Sequence, residues 1–242
     1  MATIKVKGIV LSENNMGDYD KMLTILTPNL GKISCAAKGA RKPKSALLAG
    51  TQLFCFCEYL MYQGTNTYHI NSCETIEMFY KIRTDLEKLK YAIHLNKIVQ
   101  DITDENDNCY NILQLYLNAL YSIAETDKDK DLIVSIFKLR VLKNLGLTPR
   151  ITECVNCREK ENLQYFSIKD NGVKCEACAR QDKSAIYMSE STANAVKYTI
   201  LAPAKKVFSF NLKNESLEEF KLISKIYFNE KMEKEYKLEE LF

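Results

Sequence analysis

The chain has 242 residues, 46% of them hydrophobic and 27% charged, a composition that is typical of a folded globular protein and excludes a disordered or fibrous class. No run of about 18 apolar residues occurs, and the N-terminus lacks the apolar core and cleavage site of a signal peptide. We therefore expect a cytoplasmic protein with no membrane contact, and the length favours two domains over one. The net charge of +3 says little about partners.

The chain up to Phe79 alternates strand-like runs with turn-forming residues. β-Branched and aromatic residues are enriched in the runs, and Gly, Pro and Asn separate them. The pattern predicts five strands, at residues 3–12, 22–27, 32–38, 52–62 and 67–78. Five short strands with no long helix between them favour a small closed barrel over a parallel sheet, and the strand count fits the Greek-key barrel called the OB-fold.

A basic loop, residues 38–44, follows the third predicted strand. No acidic residue occurs between Asp20 and Glu58, so positive charge dominates this part of the chain. Cations on an exposed loop at a barrel rim suit a phosphate backbone, because they replace its condensed counterions. A merely solvated loop is the alternative. The predicted DNA-binding residues are Lys32, Lys38, Arg41, Lys42 and Lys44.

Aromatic side chains near this loop could stack on the bases of a single strand. The candidates are Phe54, Phe56, Tyr59, Tyr62 and Tyr68. Because successive side chains of a strand point to opposite faces, about half of them are expected in the barrel core.

Helical periodicity begins after Phe79. Helices are predicted at residues 83–102, 109–124, 132–145, 189–201 and 217–231. We therefore predict an α+β protein with a DNA-binding barrel domain at residues 1–79. An all-α domain at residues 80–242 follows, with a cysteine-containing insertion at about residues 150–182.

Four cysteines in this insertion form two C-x2-C pairs. Cys154 and Cys157 are followed after 17 residues by Cys175 and Cys178. Two such turns facing each other supply four thiolates at the tetrahedral geometry of zinc, and a complete shell of four sulfurs predicts one structural Zn²⁺ ion. The alternatives are four unligated buried cysteines or an iron–sulfur cluster, although ferredoxin spacings are absent. The total of nine cysteines, with no export signal, argues against a disulfide framework.

No catalytic motif is present in the sequence. A P-loop, a dinucleotide fingerprint and a G-x-S-x-G motif are all missing. The two histidines, His69 and His94, are expected to have packing or surface roles. We therefore expect no enzymatic activity, and the closed sulfur shell disfavours a zinc enzyme.

Three stretches carry a resemblance to a known family: YDKMLTILTPNLGKISCAAKGARKPKS (19–45), FKLRVLKNLGLTPRITECVNC (137–157) and FSIKDNGVKCEAC (166–178). They resemble the RecO family of bacterial DNA-repair proteins. The resemblance implies an N-terminal OB-fold, a helical C-terminal domain and, as in many members, a four-cysteine zinc module. It also implies binding of single- and double-stranded DNA without sequence preference, annealing of complementary strands, and nucleoid association.

The resemblance also implies partners. Family members work with RecR to load RecA onto single strands coated by the single-stranded-DNA-binding protein, SSB, whose acidic tail they hold in an apolar pocket edged by cations. In this chain the corresponding helix offers Phe137, Lys138, Arg140 and Lys143. The family's basic loop corresponds to Lys38, Arg41, Lys42 and Lys44, and its zinc ligands to the four cysteines. The alternative function is a protein–protein adaptor with only incidental DNA affinity.

Overall fold

The computed structural model of the protein describes residues 3–65 and 67–238. It begins with five strands, β1 (Thr3–Met16), β2 (Asp20–Thr27), β3 (Gly31–Ala37), β4 (Phe56–Gln63) and β5 (Tyr68–Glu77). These strands form a closed barrel in the order β1-β2-β3-β5-β4. The predicted five-stranded N-terminal sheet is thus confirmed.

Strand β1 closes the barrel because it pairs with two neighbours. Its first half lies antiparallel to β4 and its second half antiparallel to β2, with a bulge between Val10 and Ser12. On the far side β3 pairs in parallel with β5. Gly8 leaves room for a side chain of β2, since a Cβ there would be 2.5 Å from Cγ2 of Ile25. The fully enclosed barrel core includes Val10, Leu23, Ile25, Cys35, Cys57, Tyr59 and Met61.

The fourth strand begins at Phe56, four residues later than the predicted start. Residues 52–55 form a turn instead, in which the Cys55 amide donates to the carbonyl of Gln52 at 3.1 Å. Phe54 adopts a left-handed backbone with φ of 67° and is fully buried. Its amide donates to the carbonyl of Val10, beside the bulge of β1, so tertiary pairing overrides the strand-like sequence of this segment.

Helices follow the barrel. They are α1 (Tyr80–Arg83), α2 (Leu86–Ile102), α3 (Tyr110–Glu125), α4 (Lys130–Asn144), α5 (Glu176–Ala179), α6 (Glu190–Leu201) and α7 (Asn214–Met232). Three of them begin at side-chain caps, where Asp85, Asp129 and Ser189 accept hydrogen bonds from the amides of Lys88, Leu132 and Thr192. Within the described residues, none of these helices has the length and apolar character needed to cross a bilayer.

The chain divides into two compact units within α3, Met1–Gln114 and Leu115–Phe242. In the first unit, α2 is joined to the barrel by the Asn96 side chain, which donates to the carbonyl of Leu11 at 2.8 Å. The predicted boundary at residues 79 and 80 marks the change from strands to helices, and as a domain boundary it stays a prediction.

In the second unit α4 is the central helix. Its residues from Leu132 to Leu142 are buried on every side, and it contacts both α6 and α7. A helix that is buried on every side turns no face to solvent, which explains why apolar residues occur around its whole circumference. The segment between α4 and α6 holds a small sheet of three short strands, β6 (Tyr165–Ser167), β7 (Gly172–Lys174) and β8 (Ile186–Tyr187), in the order β7-β6-β8.

Candidate metal centre and nucleic-acid interface

The two C-x2-C pairs meet at one point in the second unit. The sulfur atoms of Cys154, Cys157, Cys175 and Cys178 all lie within 4.8 Å of one another, and those of Cys157 and Cys175 are 3.6 Å apart. Four sulfurs bound tetrahedrally at a zinc–sulfur distance of about 2.3 Å would be about 3.8 Å apart. The cluster therefore has the size and the donor set of a four-thiolate site and could hold a metal ion.

The first cysteine turn is held by backbone hydrogen bonds. The Cys154 amide donates to the carbonyl of Glu159 at 2.7 Å, and the Arg158 amide donates back to the carbonyl of Cys154 at 3.0 Å. The turn is joined to β7 by the Val155 amide, which donates to the carbonyl of Val173 at 2.9 Å. Gly172 is required at this junction, because a Cβ there would lie 2.3 Å from the carbonyl oxygen of Arg150.

The second cysteine pair lies at the end of the hairpin formed by β6 and β7. Cys175 directly follows β7 and caps α5, where its carbonyl accepts from the Ala179 amide at 3.0 Å. Beside it the buried Lys174 ammonium lies 2.5 Å from Asp170 and 2.8 Å from Asp182. Lys174 and the Ser167 hydroxyl hold the pKa of Asp182 well below its usual range. This network fixes the hairpin that presents Cys175.

The surroundings of the Cys154 sulfur favour its thiolate form, which is the form that binds metals. Burial opposes its ionisation, but the backbone amides of Cys157, Cys175 and Asn156 donate to it and lower its pKa to about 6. Ligand thiols must lose their protons to bind a metal, so these amides favour the form of Cys154 that can act as a ligand.

The basic loop, residues 38–44, is exposed except at Gly39 and the buried Ala40, and it is attached to the turn between β1 and β2, which we call the hairpin turn (residues 17–19). The Gly39 amide donates to Oδ1 of Asp20 at 2.7 Å, and the Arg41 amide donates to the carbonyl of Tyr19 at 2.9 Å. Lys38, Arg41, Lys42 and Lys44 are all exposed, so the structure brings these four predicted cations onto one short surface segment.

Lys32 is separate from this group. It lies at the start of β3, and its ammonium donates to the carbonyl of Gln100, near the end of α2, at 2.5 Å. A cation at the C-terminal end of a helix stabilises the helix dipole, so Lys32 has a structural role in the first unit. Its predicted contact with DNA stays a prediction.

Most of the aromatic residues proposed for base stacking are buried or already stack on another ring of the protein. Phe54 and Tyr59 are fully buried, and the Tyr59 hydroxyl donates to the carbonyl of Gly50 at 2.7 Å inside the barrel. Tyr62 stacks on His69 with ring centroids 4.8 Å apart.

An aromatic residue that sequence reasoning missed is Tyr19 of the hairpin turn. Its side chain is 50% exposed, and the Lys42 ammonium lies over its ring, 5.8 Å from the centroid. The signal in the sequence was an aromatic residue within a polar turn, GDYD, which strand alternation does not detect.

The α4 residues predicted to hold a partner lie largely inside the second unit. Phe137 is fully buried and packs edge-on against Tyr116, with ring centroids 6.4 Å apart. Lys138 is buried below the ring of Phe228, and burial, together with Lys225, lowers its pKa to about 8. Phe137 therefore stabilises the core, and its predicted contact with a partner, like that of Lys138, stays a prediction.

Arg140 and Lys143 close the C-terminal end of α6. Nη1 of Arg140 donates to the carbonyls of Thr199, Ile200 and Ala202 at 3.1, 3.2 and 2.9 Å. The Lys143 ammonium, which is half-buried, donates to the carbonyl of Ile200 at 2.6 Å. These carbonyls have no partner within the helix, and positive charge there also complements the helix dipole.

Arg140→Ala is expected to lower the free energy of unfolding by about 2–5 kcal/mol, because it leaves the carbonyls of Thr199 and Ala202 without a charged donor in a buried site, while Ile200 keeps only Lys143. Thermal and denaturant unfolding would measure the loss. Arg180→Ala is the control: Arg180 forms an exposed ion pair with Glu176, so no measurable change in stability is expected. Equal stability of the Arg140 variant and the wild type would contradict the capping role.

The sequence matches two family models along nearly its whole length. Residues 1–79 match the model described as Recombination protein O N terminal, and residues 83–240 match Recombination protein O C terminal. A protein of Acetivibrio thermocellus, named DNA repair protein RecO, is 41% identical over 98% of this chain and 94% of its own length.

More distant relatives carry the same name. The protein of Caldicellulosiruptor bescii is 30% identical over 100% of this chain and 98% of its own length. That of Bacillus subtilis is 30% identical over 93% of this chain and 88% of its own length. On the two model matches and these relatives, the chain belongs to the recombination protein O family, RecO.

Proposed function

We propose that this protein is a non-enzymatic DNA-binding mediator of recombinational DNA repair. It binds single- and double-stranded DNA without sequence preference, anneals complementary strands and, with RecR, helps to load RecA onto single strands coated by SSB. Family membership supports the proposal, as does the name DNA repair protein RecO of the relatives.

The observation that carries the proposal is the exposed basic loop. Four cations occupy seven consecutive positions, and no acidic residue occurs between Asp20 and Glu58. Their exposure leaves the ammonium and guanidinium groups able to contact phosphates, and the hydrogen bonds to Tyr19 and Asp20 hold the loop in one conformation.

We assign the barrel to the OB-fold class. Five strands in the order β1-β2-β3-β5-β4, with β1 shared between β2 and β4, fit a five-stranded Greek-key barrel. OB-folds commonly bind nucleic acid, and in this barrel the basic loop directly follows β3.

We also propose that the four cysteines hold one structural Zn²⁺ ion. The sulfur spacing and the set of four cysteines fit four thiolate ligands, and such a shell leaves no position for substrate. The ion would stabilise a segment whose strands are two or three residues long and which cannot bury enough apolar surface by itself.

We also propose that the second unit binds the acidic tail of SSB. The cationic side chains of α4 support this proposal. Among the four residues predicted to bind a partner, Lys143 is half-buried. Phe137, Lys138 and Arg140 would contribute by shaping the second unit around the site, since all three are buried.

The test is a fluorescence-anisotropy titration of a labelled single-stranded oligonucleotide at several salt concentrations. Affinity should fall steeply with salt, with a log–log slope of about −0.7 per phosphate contact. Annealing of complementary strands, with and without SSB, is measured in parallel. Absence of binding at low salt, with SSB and RecR still captured after nuclease treatment, would favour the adaptor function instead.

A further inference from the structure

Tyr19 projects an aromatic ring beside the basic loop. It lies in the hairpin turn, keeps half of its side-chain surface exposed, and is covered only in part by the Lys42 side chain. An aromatic ring that stays half exposed in a polar turn buries only part of its apolar surface and so contributes less to folding than a core ring does. The exposed part of the ring faces solvent next to the cations of the basic loop.

The ring and the cations are held together as one surface. The Arg41 amide donates to the carbonyl of Tyr19 at 2.9 Å, and Nη1 of Arg41 donates to the carbonyl of Gly17 at 3.4 Å. In the residue that follows Tyr19, Oδ1 of Asp20 accepts a hydrogen bond from the Gly39 amide at 2.7 Å. These three hydrogen bonds connect the basic loop to the hairpin turn and to the first residue of β2.

The net positive charge of this surface favours the binding of an anion. Asp18 and Asp20 bring negative charge next to the ring, and Asp20 is engaged with the loop backbone. The four loop cations outnumber these two carboxylates. An aromatic ring bordered by cations is the arrangement that binds single strands, with a base stacked on the ring and the phosphates on the cations.

We propose that Tyr19 stacks on an unpaired nucleobase while the basic loop holds the adjoining phosphates, which makes this chain bind single-stranded DNA more tightly than duplex DNA. The inference rests on the proposed DNA-binding function and deepens it by naming the residue that contacts a base. Bases in a duplex are already stacked on their neighbours, so only a single strand gains this contact.

The experiment distinguishes the contribution of base contacts to affinity from that of phosphate contacts. Affinities are measured by fluorescence anisotropy for an oligothymidine strand, for a strand of the same length made of abasic sites, and for a duplex. Tyr19→Ala should weaken binding to the thymidine strand by about 5- to 150-fold, the range for loss of one stacked base. Its affinity for the abasic strand and for the duplex, and its salt dependence, should equal those of the wild type.

Two control variants complete the test. Tyr19→Phe keeps the ring and should bind the thymidine strand as the wild type does. Tyr80→Ala removes another exposed tyrosine, which is 66% exposed with Arg83 5.9 Å from its ring centroid, and should leave all three affinities unchanged. Thermal unfolding of each variant checks that the fold is retained, as expected for exposed positions.

An equal loss on the thymidine and abasic strands would overturn the inference, since the effect would then come from the backbone. So would an unchanged affinity of Tyr19→Ala, or a loss in Tyr19→Phe as large as in Tyr19→Ala. Any of these three results, obtained with a wild type that binds DNA, leaves the proposed function unaffected. A wild type that binds no strand at low salt would overturn both.

Discussion

Replacing Cys175 with serine is expected to release the bound zinc and to destabilise the second unit while the barrel stays folded. Structural zinc in small modules has apparent binding free energies of about 10–16 kcal/mol at pH 7, so losing one of four thiolates removes a large share of the module's stability. Cys175 also connects β7 to α5, so the loss would spread to both elements.

Elemental analysis and hydrogen exchange measure the two parts of this prediction. The wild type should contain close to one zinc per chain and the variant much less, and protection should fall in residues 150–182 but not in β1–β5. Cys109→Ser is the matched control, because Cys109 is buried but lies outside the cluster. Wild-type protein that holds almost no zinc when prepared without chelator, with all four thiols titratable, would contradict the assignment.

Replacing all four cations of the basic loop by alanine is expected to remove most of the salt-dependent affinity for DNA. Each lost phosphate contact reduces the slope of log affinity against log salt by about 0.7 for a single strand, so four contacts account for a change of nearly 3. The affected residues are Lys38, Arg41, Lys42 and Lys44. Because phosphates carry the effect, the loss should be similar for oligonucleotides of different sequence.

The control is a variant with the same change in net charge at exposed lysines of the second unit. Its substitutions are Lys160→Ala, Lys183→Ala, Lys205→Ala and Lys206→Ala. This variant should keep a slope close to that of the wild type. If both variants lose affinity to the same extent, the net charge and not the loop determines binding, and the loop assignment is wrong.

Local patterns in the sequence were enough for several features. The two cysteine pairs predicted a four-sulfur cluster, and the structure brings these sulfurs within 4.8 Å of one another. Alternation and turn residues located all five strands, because strand periodicity is a property of neighbouring residues. The basic loop was recognised because Gly39 and Pro43 keep it out of regular structure.

Features that depend on contacts between distant parts of the chain could not be predicted from local sequence patterns. The start of β4 was predicted four residues early, because the turn before it is stabilised by hydrogen bonds with Val10 of another strand. The cations of α4 looked available to a partner, but Arg140 is enclosed by the end of α6. Burial of a long polar side chain depends on which helix end it meets, and helical periodicity carries no such information.

The sequence by itself determined the composition of the four-cysteine cluster, the number of strands and the place of the basic loop, since each depends on spacing within a short segment. Only the tertiary structure decided which aromatic ring lies beside the loop cations. Tyr59, inside a predicted strand, points into the barrel, whereas Tyr19 is exposed in a turn. The choice follows from barrel closure, which encloses one side of each strand and leaves the turn between β1 and β2 outside.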